Sequence, residues 1–264
     1  MPRGGSFIVR AAALVACLLS LPSFASDVCE RACLQDLVDQ YLAALVAHDP
    51  GRLPLAVNVR FTENGQELRL GDGLWGTASG RGKYKLYVAD PEDGQVGFYG
   101  TLMENGTPVL LALRLKVTYG LISEVETLVA RGGGGGPFTP AGKAMEEHGN
   151  PRPQFLRTVP AAERMSHEDL VKVANSYFTG LGGNTGHNTA PFAPTCLRWE
   201  NGAQTNSNPT LRPNGAGGVN IVAMSCEELT LEISELFQID KGKIDQVEAV
   251  INTVPYGMRS AVWD

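Results

Sequence analysis

Clustered positive charge, histidine and long apolar runs are all scarce in this sequence, and each scarcity argues against a class of function. The net charge is -6 and no run of lysines or arginines stands out, which disfavours nucleic acid and anionic membrane surfaces as partners. The four histidines (His48, His148, His167 and His187) lack metal-ligand spacing such as HxxxH, so no metal site is expected. Nucleophile-elbow, dinucleotide-binding and kinase signatures are absent, so no cofactor is expected either.

The N-terminal 25 residues have the layout of a secretory signal peptide. Arg3 and Arg10 precede the apolar run AAALVACLLSL, and the small-x-small pattern ending at Ala25 follows it. That run is too short to remain as a membrane-spanning helix. We therefore expect cleavage after Ala25 and a secreted or periplasmic mature chain. An alternative is a lipoprotein anchored through Cys17, although apolar residues continue past Cys17 where a polar tether is expected.

Four cysteines remain after such cleavage: Cys29, Cys33, Cys196 and Cys226. An even count in an exported chain favours disulfides over metal binding. Cys29 and Cys33 are close enough in a helical turn to form a bridge, which leaves Cys196 to pair with Cys226. Free thiols remain the alternative.

Residues 29–131 show the pattern of a helix followed by a curved sheet. Apolar residues recur at helical spacing from Cys29 to Val46, and Asp49-Pro50-Gly51 ends the helix. Strands are predicted over 58–62 and 83–89. Two further strands flank Tyr119-Gly120, and a third ends at Glu104-Asn105-Gly106, which together predict a three-stranded antiparallel meander.

This order of elements resembles the nuclear-transport-factor-2-like, or SnoaL-like, cone fold. In particular, a family of exported bacterial and fungal proteins of unknown function is closely similar to two stretches, CERACLQDLVDQYLAALVAHDPGRLPLAVNVRFTENGQELRLGDGLWGTASG and YKLYVADPEDGQVGFYGT. The resemblance is dense over 29–131 and looser beyond. It implies an α+β fold in which helices cover a cone-shaped, curved antiparallel sheet of cystatin-like type. It also implies a pocket between the concave sheet and the helices, but no reaction.

A linker and a second, shorter copy are predicted after this domain, which spans 26–131. Residues 132–160 contain five consecutive glycines and several prolines, and their spacing to Lys143 does not fit a phosphate-binding loop. Within 161–264, three patterns of the first domain recur in order at offsets of 136, 137 and 122 residues, which indicates an internal repeat.

The second copy is predicted to be incomplete. The segment NSNPTLRPNGAGGVNIVAMS stands where the first copy has the hairpin from Lys83 to Met103. The remaining strands, 230–239 and 243–252, need a cover. We expect the helix over 166–181 and an apolar interface with the first copy to provide it, so that both copies form one contiguous unit.

Eight residues of the first copy are candidates for the pocket, each with a structural alternative. Tyr41 and Trp75 are large aromatic residues of the kind that pack in a core. Glu63 precedes an Asn-Gly turn, as other glutamates of the chain also do, which favours a role in turn geometry. Arg114 and Glu126 lie on adjacent strands, where they could polarise a substrate or form a solvated cross-strand pair, and we favour the pair. The full set is Tyr41, Glu63, Asp72, Trp75, Tyr87, Tyr99, Arg114 and Glu126.

Two classes of function fit these observations. The first is an exported binding or assembly module that holds a small apolar ligand or presents its sheet to a partner, for example as a homodimer. The alternative is a cofactor-free lyase, isomerase or hydrolase acting on a small apolar substrate. Enzymes that resemble this fold often use a His/Asp pair inside the cone, but the first copy contains only His48, at a helix end. We therefore favour binding.

Overall fold

The computed structural model of this chain describes residues 29–132, 141–182, 190–205 and 230–254. It contains two curved β-sheets, each with an inner face covered by a helix and an outer face that packs against the other sheet. The chain is of the mixed α+β type. The first half contains α1 (Arg31–Val46), β1 (Leu55–Glu63), β2 (Gln66–Glu67), β3 (Ala78–Asp90), β4 (Gln95–Glu104), β5 (Thr107–Thr118) and β6 (Leu121–Ala130). The second half contains α2 (Ala141–His148), α3 (His167–Gly182), β7 (Phe192–Glu200), β8 (Ala203–Gln204), β9 (Thr230–Asp240) and β10 (Lys243–Val254).

The first sheet has the strand order β2-β1-β6-β5-β4-β3, and all its pairings are antiparallel except that between β1 and β6. The predicted meander corresponds to β4, β5 and β6. Its two tight turns place Asn105, Gly106, Tyr119 and Gly120 at positive φ. Two consecutive residues of this kind form a turn whose twist matches that of the flanking strands, so the turns fix the register of the hairpins.

The inner face of the first sheet is filled by its own core. Helix α1 packs there through residues such as Leu34 and Val38, against Leu111 and Val125 of the sheet. A short 3-10 helix, Gly73–Gly76, adds Trp75, which is 1% exposed and donates its indole N–H to the Tyr41 hydroxyl at 3.1 Å. The space expected to hold a pocket is therefore occupied by side chains.

The second sheet repeats part of this order as β8-β7-β10-β9, again with one parallel pair, β7 and β10. Helix α3 covers its inner face, where Tyr177 and Val173 pack against Ile244, Val247 and Phe237. The described residues contain no counterpart of the β3-β4 hairpin. The segment that replaces it in the sequence, residues 206–225, lies outside the described part of the chain.

The interface between the sheets is apolar in part and includes a buried charged cluster. Glu248 is 2% exposed and accepts hydrogen bonds from the Tyr84 hydroxyl at 2.7 Å and from Arg152 Nη1 at 2.9 Å. The interface that we expected to be mainly apolar thus also contains a buried charge, which Arg152 brings from the segment predicted as a linker. Part of that segment packs on the sheet as well, through Met145 of α2.

A disulfide joins Cys29 to Cys33, with their Cα atoms 5.3 Å apart. Cys226, Cys17 and the predicted signal peptide over 1–25 lie outside the described residues, so the predictions that involve them stand as predictions. Among the described helices, none is long and apolar enough to cross a membrane.

A candidate ligand cleft between the two sheets

The outer face of the first sheet carries a row of directly paired residues that leaves a gap. Val88 pairs with Gly97, Gly97 with Arg114, and Arg114 with Glu126. Directly paired residues present their side chains on the same face of a sheet. Since Gly97 has no side chain, the row has a depression between Val88 and Arg114.

Strand β9 lies over this depression and closes it into a cleft of about 470 Å³. Its floor comes from β3, β4, β5 and β6, and its wall from residues 233–236 of β9. The lining is Val88, Asp90, Gln95, Val96, Gly97, Tyr99, Ala112, Leu113, Arg114, Glu126, Leu128, Ile233, Ser234, Glu235 and Leu236. Most of the lining surface is apolar, but the lining also includes six polar or charged residues: Asp90, Gln95, Arg114, Glu126, Ser234 and Glu235.

Arg114 is the centre of a group of hydrogen-bonded polar side chains in the cleft. Its Nε donates to Glu126 at 2.9 Å, its Nη2 to Glu124 at 2.8 Å and its Nη1 to Gln95 at 2.9 Å. Burial lowers the pKa of the Arg114 guanidinium, but the hydrogen bonds that it donates to Glu126 and Glu124 outweigh this effect and leave the pKa raised. Arg114 is therefore a fixed cation whose charge is compensated within the protein.

A neutral hydroxyl pair lies deeper in the cleft. The Tyr99 hydroxyl, on the first sheet, donates to Ser234 Oγ, on β9, at 2.7 Å. Tyr99 is 2% exposed, and burial raises its pKa well above the ordinary value of 10.0. This bond ties the wall of the cleft to its floor.

Three of the eight predicted pocket residues, Tyr99, Arg114 and Glu126, line this cleft. The Arg114–Glu126 pair is the cross-strand pair that we favoured, and the face that carries it is covered in part by β9. The pocket itself lies on the opposite face of the sheet from the one expected.

The other five predicted residues lie elsewhere. Tyr41 and Trp75 belong to the core. Tyr87 packs beside that core and donates its hydroxyl proton to Asp39 on α1 at 3.1 Å. Glu63 and Asp72 make local hydrogen bonds and ion pairs outside the cleft.

Glu63 is 8% exposed and acts as a structural acceptor. Its Oε2 accepts the backbone N–H of Leu74 at 2.7 Å, and its Oε1 accepts from Arg131 Nη2 at 2.8 Å. Asp72 is exposed and pairs with Arg69 at 3.4 Å. Neither carboxylate reaches the cleft, so both are removed from the candidate site.

Sequence reasoning missed the residues that shape the cleft most directly, Gly97 and Ser234. Alternation along β4 and β5 places Gly97 on the face of Arg114 once the two strands are in register. The position of Ser234 depends on how the second sheet docks, and the sequence gives no signal for that.

A family model of unknown activity matches part of the chain. The family model "Domain of unknown function (DUF8021)" matches residues 163–228, about a quarter of the chain and within its second half. No curated protein sequence matches the chain.

Several solved structures are similar to part of the chain. A protein of unknown function with a cystatin-like fold from Methylobium petroleophilum is 16% identical with a TM-score of 0.33, covering 52% of this chain and 97% of that protein. An NTF2-like protein of unknown function from Cytophaga hutchinsonii is 16% identical with a TM-score of 0.28, covering 36% and 88%. A de novo designed protein with a curved β-sheet is 15% identical with a TM-score of 0.33, covering 39% and 88%. Similarities of this size assign no function to the chain.

Proposed function

We propose that this chain is a small-molecule-binding protein whose ligand occupies the cleft between the two sheets. The cleft volume of about 470 Å³ carries the proposal, because small-molecule sites typically span roughly 300 to 1,000 Å³. A largely apolar lining interrupted by polar groups is also typical of such sites.

The lining disfavours an anionic ligand and suits an uncharged, largely apolar one. An anionic ligand would need a donor from Arg114, whose nitrogens already bond to Glu124, Glu126 and Gln95. The carboxylates around this one cation would also repel an anion. A neutral molecule can bury its apolar surface against Val88 and the floor without meeting either cost.

Binding accounts for these residues better than catalysis does. In the part of the chain that the structure describes, the cleft lining contains neither histidine nor cysteine. Glu126, a carboxylate on the cleft floor, is held by Arg114 and is therefore a poor general base. The Arg114–Glu126 pair therefore gives no support to the alternative of a lyase, isomerase or hydrolase.

Filling the gap at Gly97 tests the proposal. A β-carbon at Gly97 would meet only the Val88 carbonyl, at 3.8 Å, so Gly97→Phe should fold and place its ring in the cleft. Gly80→Phe is a matched control, since Gly80 lies on β3 outside the cleft lining and a β-carbon there meets only the Met103 side chain, at 3.6 Å.

Titration with the neutral dye Nile red, followed by fluorescence, should show saturable binding of one dye per chain. We expect Gly97→Phe to weaken this binding at least about tenfold, equivalent to about 1.4 kcal/mol, and Gly80→Phe to leave it unchanged. Equal binding by all three proteins, or the absence of saturable binding, would contradict the proposal.

We also propose that the protein is exported, on the basis of its N-terminal sequence. Expression of the full-length gene in a secreting host should yield a mature chain that begins at Ser26. N-terminal sequencing or intact-mass measurement tests this, and a lipid-modified N-terminus at Cys17 would support the lipoprotein alternative.

An internal duplication is the last part of the proposal, and equivalent hydrogen bonds support it. Asn64 Oδ1 accepts from the backbone N–H of Val129 at 2.7 Å, and its Nδ2 donates to the carbonyl of the same residue at 3.4 Å. Asn201 forms the same two bonds with Ile251, both at 2.9 Å. The residues correspond at the offsets of 137 and 122 found in the sequence. The same pair of hydrogen bonds between an asparagine side chain and a strand backbone therefore occurs in both halves.

A further inference from the structure

A mixed cluster of nitrogen and oxygen donors lies at one edge of the cleft. Nε2 of His167, the first residue of α3, is 2.7 Å from Asp90 Oδ2 and 3.6 Å from Asp93 Oδ2. The three donor atoms lie within 4.8 Å of one another. Asp90 is the last residue of β3 and Asp93 lies in the β3-β4 turn, so the cluster joins the two halves of the chain.

The backbone orients this cluster. Asp90 Oδ1 accepts the backbone N–H groups of Glu92 at 3.1 Å and Asp93 at 3.4 Å. These bonds hold the carboxylate in place and leave Oδ2 directed at the imidazole. Asp90 also lines the cleft, so the cluster and the cleft share a residue.

The surroundings of the cluster favour positive charge. Besides the two aspartates, Glu92 acts electrostatically on His167, and Glu168 lies in the first turn of α3. The carboxylates grouped around this position therefore attract a cation.

We propose that Asp90, Asp93 and His167 bind a divalent transition-metal ion, with Zn²⁺ as the best match. Zinc binds imidazole nitrogen together with carboxylate oxygen, whereas Ca²⁺ and Mg²⁺ prefer all-oxygen ligand sets. Three protein ligands leave a fourth tetrahedral position for water or for a polar group of a ligand in the cleft. The ion ties α3 to the β3-β4 turn and thereby holds the two halves together at the edge of the cleft.

Zinc binding to the purified chain, after treatment with EDTA and dialysis, tests this inference. Isothermal titration with ZnCl₂ should give one site per chain, and the melting temperature should rise with zinc concentration because the ion binds only the folded chain. Asp93→Asn should weaken the affinity roughly tenfold or more, since even an indirect partner of a metal ligand is typically worth that much. MgCl₂ at the same concentrations should have no effect.

Asp72→Asn is the matched control, because the Asp72 side chain is 51% exposed and the Asp93 side chain is 53% exposed. This variant should bind zinc like the wild type. Substitution with Co²⁺ gives a second readout, a visible absorption band that His167→Gln should abolish.

Three results would overturn the inference: no zinc binding, zinc binding that survives both Asp93→Asn and His167→Gln, or equal loss in Asp72→Asn. Loss of zinc binding in Asp93→Asn and His167→Gln, with Nile red binding intact in both variants, would confirm a metal site that is independent of the ligand cleft.

Discussion

Replacing Glu248 with alanine should destabilise the protein by about 3 to 5 kcal/mol, because the change leaves Arg152 as a buried charge without its partner. Arg152 is 6% exposed and its guanidinium lies 3.5 Å from the ring centroid of Trp199. The side chain is therefore held in place and cannot turn to water to recover its hydration.

A second variant distinguishes the cost of leaving Arg152 unpaired from the net contribution of the Arg152–Glu248 ion pair to stability. Glu248→Leu combined with Arg152→Met and Tyr84→Phe removes all the polar partners at once. Replacing a buried ion pair with apolar side chains of similar volume is often neutral or stabilising. The triple variant should therefore be much closer to the wild type than Glu248→Ala is.

Unfolding in guanidinium chloride, followed by fluorescence and by circular dichroism, measures both variants. Since Tyr84 and Glu248 belong to different sheets, we expect a single transition by both probes that shifts as a whole. A loss below about 1 kcal/mol for Glu248→Ala, or two transitions of which only one moves, would refute the view that the sheets form one cooperative unit.

Three further predictions follow from the first half and from the cysteines. Trp75→Ala should cost about 3 to 5 kcal/mol in unfolding free energy, as expected for a buried indole, and a loss below about 1 kcal/mol would show that the site is exposed. Hydrogen bonds from Arg131 lower the pKa of Glu104 below its ordinary value of 4.5. The carboxylate therefore stabilises the fold above that pH, so Glu104→Gln should be about 1 to 2 kcal/mol less stable than wild type at pH 7, with the difference shrinking as the pH falls below 4.5. Non-reducing peptide mapping should find Cys196 linked to Cys226, and two alkylated thiols would contradict that pairing.

The sequence predicts the elements of this fold well, because each has a local cause. Helix α1 follows from apolar periodicity, and the meander follows from strand composition around tight turns such as Tyr119-Gly120. Boundaries differ by a few residues: β3 begins at Ala78, whereas alternation predicted a start at Lys83. The glycines at 80 and 82 hide that part of the strand from a pattern based on side chains.

The position of the candidate site could not be predicted from the sequence, because no local pattern determines it. Alternation separates the two faces of β5 but does not reveal that α1 fills one face and β9 covers the other. The metal cluster is also non-local, since His167 and Asp90 are 77 residues apart and meet only when the two halves dock. Histidine spacing consequently gave no indication of it.

Methyl-resolved NMR of the chain with Nile red tests most directly whether the ligand site is the cleft or the interior of the first sheet. The methyl groups of Val88 and Leu128 line the cleft, whereas those of Leu111 and Val125 lie in the core beneath α1. We predict that the dye shifts the resonances of Val88 and Leu128 and leaves those of Leu111 and Val125 in place. Shifts confined to Leu111 and Val125 would place the ligand inside the cone and contradict the account.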